Sequence, residues 1–368
     1  MDESKDDAVD EAVAPDRARK GRGAVSNRTA RFEPEARQAI VDEWPGDGEP
    51  RPPLRTTLSV DSARRIITYN KSPDIPFDRS INPYRGCEHG CVYCFARPTH
   101  AYYGLSPGLD FESRLFYKPD AAALLRRELR EPGYRADVLA MGTNTDPYQP
   151  VEREIGLTRA ILEVLREFRH PVSIVTKSTL ILRDVDILAD MASRGMASVS
   201  ISVTTLDRRL ARLMEPRAPT PQRRLEAIKA LNEAGVPTGA LVAPIIPALN
   251  DMEIDRIVAA IAEAGGVSAG YVLLRLPLEI KDLFEEWLGA HYPDRKQHVL
   301  SLIRQTRDGA AYRSEWWTRG TGTGVYADLI RQRFNLARKR HGLTKRKLAL
   351  DASAFCPPPA AGDQLTLF

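Results

Sequence analysis

A chain of 368 residues suggests one large or two ordinary domains, and 43% hydrophobic with 28% charged residues is the balance of a globular protein that can bury a sizeable core. No apolar run approaches the length needed to span a bilayer, and the acidic start Met1–Asp7 lacks the apolar stretch of a secretory signal, so a cytoplasmic, reducing location is expected. The net charge of +4, from 53 basic and 49 acidic residues, excludes no partner class, but its distribution is uneven. The first fourteen residues are acidic. Residues 17–31 then carry Arg17, Arg19, Lys20, Arg22, Arg28 and Arg31 without an acid. Residues 331–347 carry Arg331, Arg333, Arg338, Lys339, Arg340, Lys345, Arg346 and Lys347, again without one. Such runs are either solvated surface or phosphate-facing patches.

In chain order, residues 1 to 18 are polar and poor in aromatics and read as disordered. The basic, glycine-containing stretch 20–27 leads through Arg31-Phe32-Glu33 to a short helix expected from Pro34 to Trp44. This segment is either a tail packed over the core through Phe32 and Trp44, or an arm that contacts nucleic acid. Residues 45–53, Pro-Gly-Asp-Gly-Glu-Pro-Arg-Pro-Pro, form a linker by composition. An N-terminal region over 1–57 thus precedes a core expected over 58–280. Val60–Thr68 is expected to form a small hairpin, and Ser80 to Pro83 to end the first core strand. The loop that follows, Asn82–Phe95, holds three of the four cysteines, Cys87, Cys91 and Cys94, in a C-x₃-C-x₂-C array. Gly86 and Gly90 let the backbone turn tightly between them. Thiolates select soft or cluster-type metal sites. Three without a fourth nearby suit a four-iron cluster with one iron left open.

The array, with Tyr93 ahead of its last cysteine, resembles the signature of the radical S-adenosylmethionine (radical SAM) superfamily. The resemblance implies a [4Fe-4S] cluster whose open iron chelates the amino and carboxylate groups of S-adenosyl-L-methionine (SAM). It implies that one electron cleaves SAM to methionine and a 5′-deoxyadenosyl radical, which abstracts a hydrogen atom. It also implies an electron donor such as flavodoxin or ferredoxin. The alternative for the same thiols is a structural zinc site with His89 or His100 as fourth ligand. Clustered thiols without a secretory signal argue against a disulfide.

After a helix expected from Pro119 to Arg130, apolar strands alternate with amphipathic helices. Strands are expected over Asp137–Gly142, Val172–Thr176, Ala197–Val203, Thr238–Ala243 and Tyr271–Leu276. Helices are expected over Leu157–Phe168, Asp184–Ser193, Pro221–Ala234 and Glu253–Ala264. Leu225, Ile228 and Leu231 share one face. With the strand before the cysteines this gives six, an α/β chain of βαβ units around a parallel sheet. A partial (β/α)₆ TIM-type barrel with N- and C-terminal extensions fits, and the resemblance implies the same fold. Ligands of such sheets meet the residues just after each strand.

After the second strand stands Thr143-Asn144-Thr145-Asp146-Pro147-Tyr148-Gln149-Pro150-Val151-Glu152. In the family this loop meets the SAM amino group, often through Gly-Gly-Glu; here Thr143, Asn144, Thr145 and Asp146 would offer hydroxyl, amide and carboxylate acceptors. The string resembles that of the spore photoproduct lyase relatives, a DNA-repair-lyase-like subgroup. Without the resemblance, Asp146 reads as a helix cap in a proline-rigid turn. Lys177 follows the third strand and would pair with a carboxylate or cap the rim. Ser200 and Ser202 share a face of the fourth strand, and the resemblance assigns Ser202 to SAM. Glu215-Pro216-Arg217-Ala218-Pro219 with Arg224 resembles the same subgroup, which implies SAM or ribose contacts for Glu215 and Arg224. Ala243–Pro247 would flank the adenine.

Residues 281–350 read as a helical region. Trp316 and Trp317 are either a base-stacking platform or, as expected here, cover for the open side of the barrel. Gly320–Gly324 reads as a flexible helix entry, and Tyr326–His341 as an amphipathic helix with Tyr326, Ile330, Phe334 and Ala337 on one face. Residues 351–368 form a tail. Its Cys356 is the only spare thiol, where spore photoproduct lyases use an additional cysteine as hydrogen donor; Tyr84, Tyr102 and Tyr103 are the tyrosine alternatives. The end, Gln364-Leu365-Thr366-Leu367-Phe368, resembles the Q-L-x-L-F peptide by which bacterial repair and replication proteins bind the sliding clamp, with Gln364, Leu365, Leu367 and Phe368 as the contacts. The expectation is a radical SAM enzyme acting on DNA. Its alternatives are a radical SAM enzyme acting on RNA, a peptide or a small molecule, or a non-catalytic iron–sulfur or zinc protein that binds nucleic acid.

Overall fold

The structure is a computed structural model that describes residues 18–34, 54–343 and 349–359. The helix expected from Pro34 to Trp44, Lys345–Lys347 and the terminal Gln364–Phe368 lie outside the described residues, Pro34 excepted. The strands in chain order are β1 (Thr57–Val60), β2 (Ile67–Tyr69), β3 (Arg79–Ile81), β4 (Tyr84–Arg85), β5 (Arg114–Tyr117), β6 (Leu139–Met141), β7 (Val172–Thr176), β8 (Ala197–Ser202), β9 (Thr238–Ile245) and β10 (Ala269–Leu273). The helices are α1 (Leu109–Ser113), α2 (Ala121–Leu129), α3 (Glu152–Ile155), α4 (Leu157–Glu167), α5 (Val185–Ser193), α6 (Arg208–Met214), α7 (Pro221–Glu233), α8 (Ile254–Glu263), α9 (Ile280–His291), α10 (Lys296–Gln305) and α11 (Gly324–Arg340).

A seven-stranded sheet runs in the order β10-β9-β8-β7-β6-β3-β2, with only β2 antiparallel to its neighbour. Ile81, Met141, Ile174, Val199 and Thr238 lie side by side across five of the parallel strands. The six parallel strands and the helices between them are the partial (β/α)₆ barrel read from the sequence. Strands such as Val172-Ser-Ile-Val-Thr176 are buried because helices cover the sheet. Helix α4 turns Leu157, Ile161, Leu162 and Leu165 inward, and α8 turns Ile254, Ile257, Val258 and Ile261. Each such side chain contributes about 1.5–3 kcal/mol on burial.

The expected hairpin over Val60–Thr68 does not form. β1 pairs in parallel with β5, and β2 pairs with β3, so each strand takes a partner distant in sequence. β1, β5 and β4 make a separate three-stranded sheet that carries the cysteine loop on its β4 end. The C-terminal aromatics divide. Phe284 and Trp287 of α9 are fully buried and stack at 5.5 Å. They join α10 in an apolar cluster with Val92, Tyr93 and Met214. Trp316 and Trp317 do not cover the barrel; they stay 55% and 67% exposed.

The N-terminal segment is no free arm where it is described. Ala24, Val25 and Ser26 are buried. Arg22 donates to the Glu112 carbonyl at 2.6 Å, and the backbone amides of Gly23 and Ala24 donate to the Glu112 carboxylate at 2.9 and 2.8 Å. Arg28 and Arg31 pair with Glu286 and Glu279. On α11, Arg331, Arg333 and Arg340 likewise have Asp328, Asp251 and Asp255. Among the described residues no helix is long and apolar enough to cross a membrane.

Candidate metal centre

The cysteine loop leaves β4 at the C-terminal end of the parallel sheet, where Asn82, Gly142 and Lys177 also emerge. It is wound as successive turns: Gly90 N donates to Cys87 O at 3.2 Å, Cys94 N to Cys91 O at 3.2 Å, and Arg97 N to Cys94 O at 3.1 Å. Gly86 and Gly90 take φ of 75° and 66°, the left-handed region that their spacing between cysteines requires. Arg97, fully buried, clamps the loop from below. It donates to Cys91 O at 2.8 Å, Gly90 O at 3.2 Å and Gly108 O at 2.8 Å, and it pairs with Glu112. Glu112 in turn receives Gly23 and Ala24, so the N-terminal segment closes over the loop.

The string after β6 supports the loop from the barrel side. Thr145 Oγ1 donates to Tyr84 O at 3.1 Å. Gln149 accepts from Glu88 N at 2.9 Å and donates to Gly86 O at 3.2 Å. Glu152 accepts from the Tyr84 hydroxyl and from Arg183. Asp146 Oδ1 accepts from Thr176 Oγ1 at 2.6 Å and Tyr148 N at 2.9 Å. Its Oδ2 accepts from Lys177 N at 2.8 Å and meets His89 Nδ1 at 3.3 Å. Burial works to raise the Asp146 carboxyl, but His89 and these donors outweigh it and hold it down to about 2. Thr143 Oγ1 accepts from Asn82 Nδ2 at 3.3 Å, and Asn144 N donates to Asn82 Oδ1 at 3.1 Å.

On the other flank, Glu215 is saturated. Its Oε1 accepts from the Tyr93 hydroxyl and from Thr204 Oγ1, and its Oε2 pairs with Arg224. Arg224 also donates to Pro219 O at 2.8 Å and Ser202 O at 3.1 Å. Burial would raise the Glu215 carboxyl, yet Arg224 and Lys177 hold it at about 2. Arg217 reaches Glu88 at 3.1 Å, and its amide donates to His89 O at 3.3 Å. Hence Asp146, Glu215 and Arg224, expected at the ligand, spend their polar atoms on holding Tyr93, Lys177 and the cysteine loop.

The donor set fits an iron–sulfur cluster. Cys87, Cys91 and Cys94 are free thiols. Burial pushes all three up, Cys91 to about 12, and a bound cationic centre would work in the opposite direction by favouring the thiolates. Among the described residues no three His, Cys, Asp or Glu side chains converge on a single-ion position. Of the histidines the zinc reading needs, His89 faces Asp146. His100 bonds Arg114 O through Nε2 and packs on Phe111, with its Nδ1 buried and unpartnered. The half-buried Lys177 ammonium lies 5.7 Å over the Tyr93 ring. Burial works to lower it, but Cys91 and Glu215 prevail and hold it above the ordinary lysine value. A cleft of about 740 Å³ opens beside the loop, lined by Glu88, His89, Tyr148, Ser178, Arg183 and Arg217 among others.

Two expectations meet their placement. Cys356 docks at the opposite end of the barrel: its amide donates to Phe168 O at 3.1 Å, and Phe355 beside it packs on Tyr134 and His170. Tyr84 is fully buried against Glu152, while Tyr102 is exposed and Tyr103 packs on Phe116. Sequence reasoning missed Arg97, Glu112 and Gln149. Only the short spacing of Arg97 from Cys94 hinted at the clamp.

Comparison with known proteins bears on this arrangement. Residues 81–261 match the family described as the radical SAM superfamily. An uncharacterized protein of Mycobacterium tuberculosis is 38% identical over 289 residues, covering 73% of this chain and 85% of that one. An uncharacterized protein of Methanocaldococcus jannaschii is 29% identical over 232 residues, covering 63% and 82%. Among solved structures, a spore photoproduct lyase complexed with dinucleoside spore photoproduct superposes with a TM-score of 0.52 at 17% identity, over 77% of each chain. A mutant of that lyase reaches 0.56 at 16% identity, over 77% and 78%.

Proposed function

The chain belongs to the radical SAM superfamily, and from that premise we propose that it is a radical SAM enzyme whose substrate is DNA, at a lesion in the manner of a repair lyase. Its cofactors are a [4Fe-4S] cluster, for which Cys87, Cys91 and Cys94 are the ligands, and SAM. When bound, they supply one-electron cleavage of SAM and the hydrogen-abstracting radical that follows. In this reading Lys177 meets the SAM carboxylate. Thr143 and Asn144 flank the amino group, and the Tyr93 ring forms a wall. Thr145, Asp146, Ser202, Glu215 and Arg224 act one step back, fixing those groups through the bonds described above. The cleft beside Glu88 and His89 is within the usual size of a ligand pocket.

The observation that carries the reading is the placement of three cysteines, two buried and Cys94 half-buried, on one loop at the C-terminal mouth of a parallel sheet, next to a lysine that no carboxylate among the described residues contacts directly. The DNA substrate draws its support from the fold likeness to a lyase complexed with a dinucleoside lesion. The position of Cys356 favours a hydrogen donor other than a thiol. The test is anaerobic turnover with dithionite and SAM, alone, with intact DNA and with ultraviolet-irradiated DNA. The reading expects 5′-deoxyadenosine in all three, with irradiated DNA raising its rate and losing a photoproduct. Equal rates with an unchanged photoproduct content would overturn the DNA substrate. The terminal Gln364–Phe368 is proposed to dock on the sliding clamp; a chain lacking those five residues should lose clamp binding in a pull-down with purified clamp.

A further inference from the structure

Three arginines are among the largest fully buried side chains: Arg97, Arg224 and Arg307. Arg97 holds Glu112 and Arg224 holds Glu215. Arg307 has no carboxylate among the described residues. Its terminal nitrogens donate to Thr318 O at 2.9 Å and Leu274 O at 2.8 Å, and its Nε is buried without a partner. The next charge is another cation. Arg275 stands two residues beyond β10, donates to the Tyr312 hydroxyl at 3.3 Å, and also buries an unpartnered Nε. The acids nearest in sequence, Asp308 and Glu315, turn to Arg313 instead. Burial and the proximity of Arg275 push the Arg307 guanidinium below its ordinary value. Two adjacent guanidiniums with no counter-ion among the described residues are costly to keep in a folded protein unless an anion completes them.

Their position says which anion. Leu274 donates to Ile245 O at 3.0 Å, so the pair sits at the C-terminal ends of β9 and β10, the end that carries the cysteines. The Arg275 guanidinium lies 5.1 Å over the ring of Phe95, the residue after Cys94, and Phe95 is 47% exposed. A guanidinium fork beside an open aromatic face suits a phosphodiester with its neighbouring base. We infer that Arg275 and Arg307 form an anion subsite at the mouth of the last barrel strand, which takes a backbone phosphate of a single nucleic-acid strand while Phe95 stacks the adjoining base. The inference rests on the DNA reading above and names where that strand is held.

The test uses the reconstituted full chain with a fluorescein-labelled decathymidylate, titrated by anisotropy at several salt concentrations, and with inorganic phosphate followed by thermal shift. Iron content confirms that each variant is folded. Arg275→Gln should weaken the oligonucleotide about tenfold and reduce the salt slope by about 0.7, the value of one lost contact on a single strand. Arg275→Lys should fall between, and Phe95→Leu should weaken binding without changing the slope. Should wild type bind the oligonucleotide and Arg275→Gln bind it equally well, the subsite is wrong and the DNA reading stands. Should wild type bind no oligonucleotide but gain an Arg275-dependent shift from phosphate, the anion subsite stands and the nucleic-acid strand is wrong. Neither response overturns both.

Discussion

At the scale of single residues, the site rests on two carboxylates that never reach the mouth. Glu215 and Asp146 are held at about 2 in the folded chain, against ordinary values of 4.5 and 3.8. A depressed carboxyl contributes stability that is complete above its unfolded value and is lost as pH falls toward its folded value. Thermal unfolding of the wild type should therefore shift to lower temperature progressively from about pH 5 toward pH 2. Glu215→Gln should flatten that dependence; an unchanged slope would show that Glu215 is not ionised against Arg224. Arg224→Ala should cost about 3–5 kcal/mol, because it strands a buried carboxylate, and unfolding in urea measures it. The cysteines were legible from spacing alone. The roles of Glu215, Arg224 and Asp146 were legible only as membership of the site, because a sequence does not tell a group that touches ligand from one that orients its neighbour.

At the scale of elements, the cysteine loop is held by segments far from it in sequence. A Cβ on Gly23 would stand 1.8 Å from the Gly90 carbonyl, between two of the cysteines. Gly23→Ala should displace the loop, so iron bound after reconstitution should fall well below wild type while far-ultraviolet circular dichroism keeps the barrel signal. Full iron occupancy would contradict the view that the N-terminal segment closes the site. That segment also shows where reading the chain fails. Residues 17–31 contain no acid, yet Arg28 and Arg31 find Glu286 and Glu279 from a distant element. A charge run is judged from its own window, but pairing is decided by the fold. The strand–helix alternation survived because periodicity is local; β7 spans Val172–Thr176 as read. The Val60–Thr68 hairpin failed because β1 and β2 found better partners in β5 and β3.

At the scale of the whole molecule, the barrel separates two ends. The cysteine loop caps the C-terminal ends of the strands, while residues 349–359 lie along the other end, where Asp351 N donates to Gly195 O at 2.9 Å. Cys356→Ala should leave 5′-deoxyadenosine formation and any DNA turnover within about twofold of wild type, as an exposed substitution away from the site does. Loss of turnover would place that thiol in the reaction. The central claim is that the three thiols hold a four-iron cluster whose open iron takes SAM beside Lys177. Low-temperature electron paramagnetic resonance of the anaerobically reconstituted, reduced protein, with and without SAM, tests it most directly. The account predicts a reduced four-iron signal that changes shape when SAM is added. Stoichiometric zinc with no cluster signal, or a cluster signal indifferent to SAM, would contradict it.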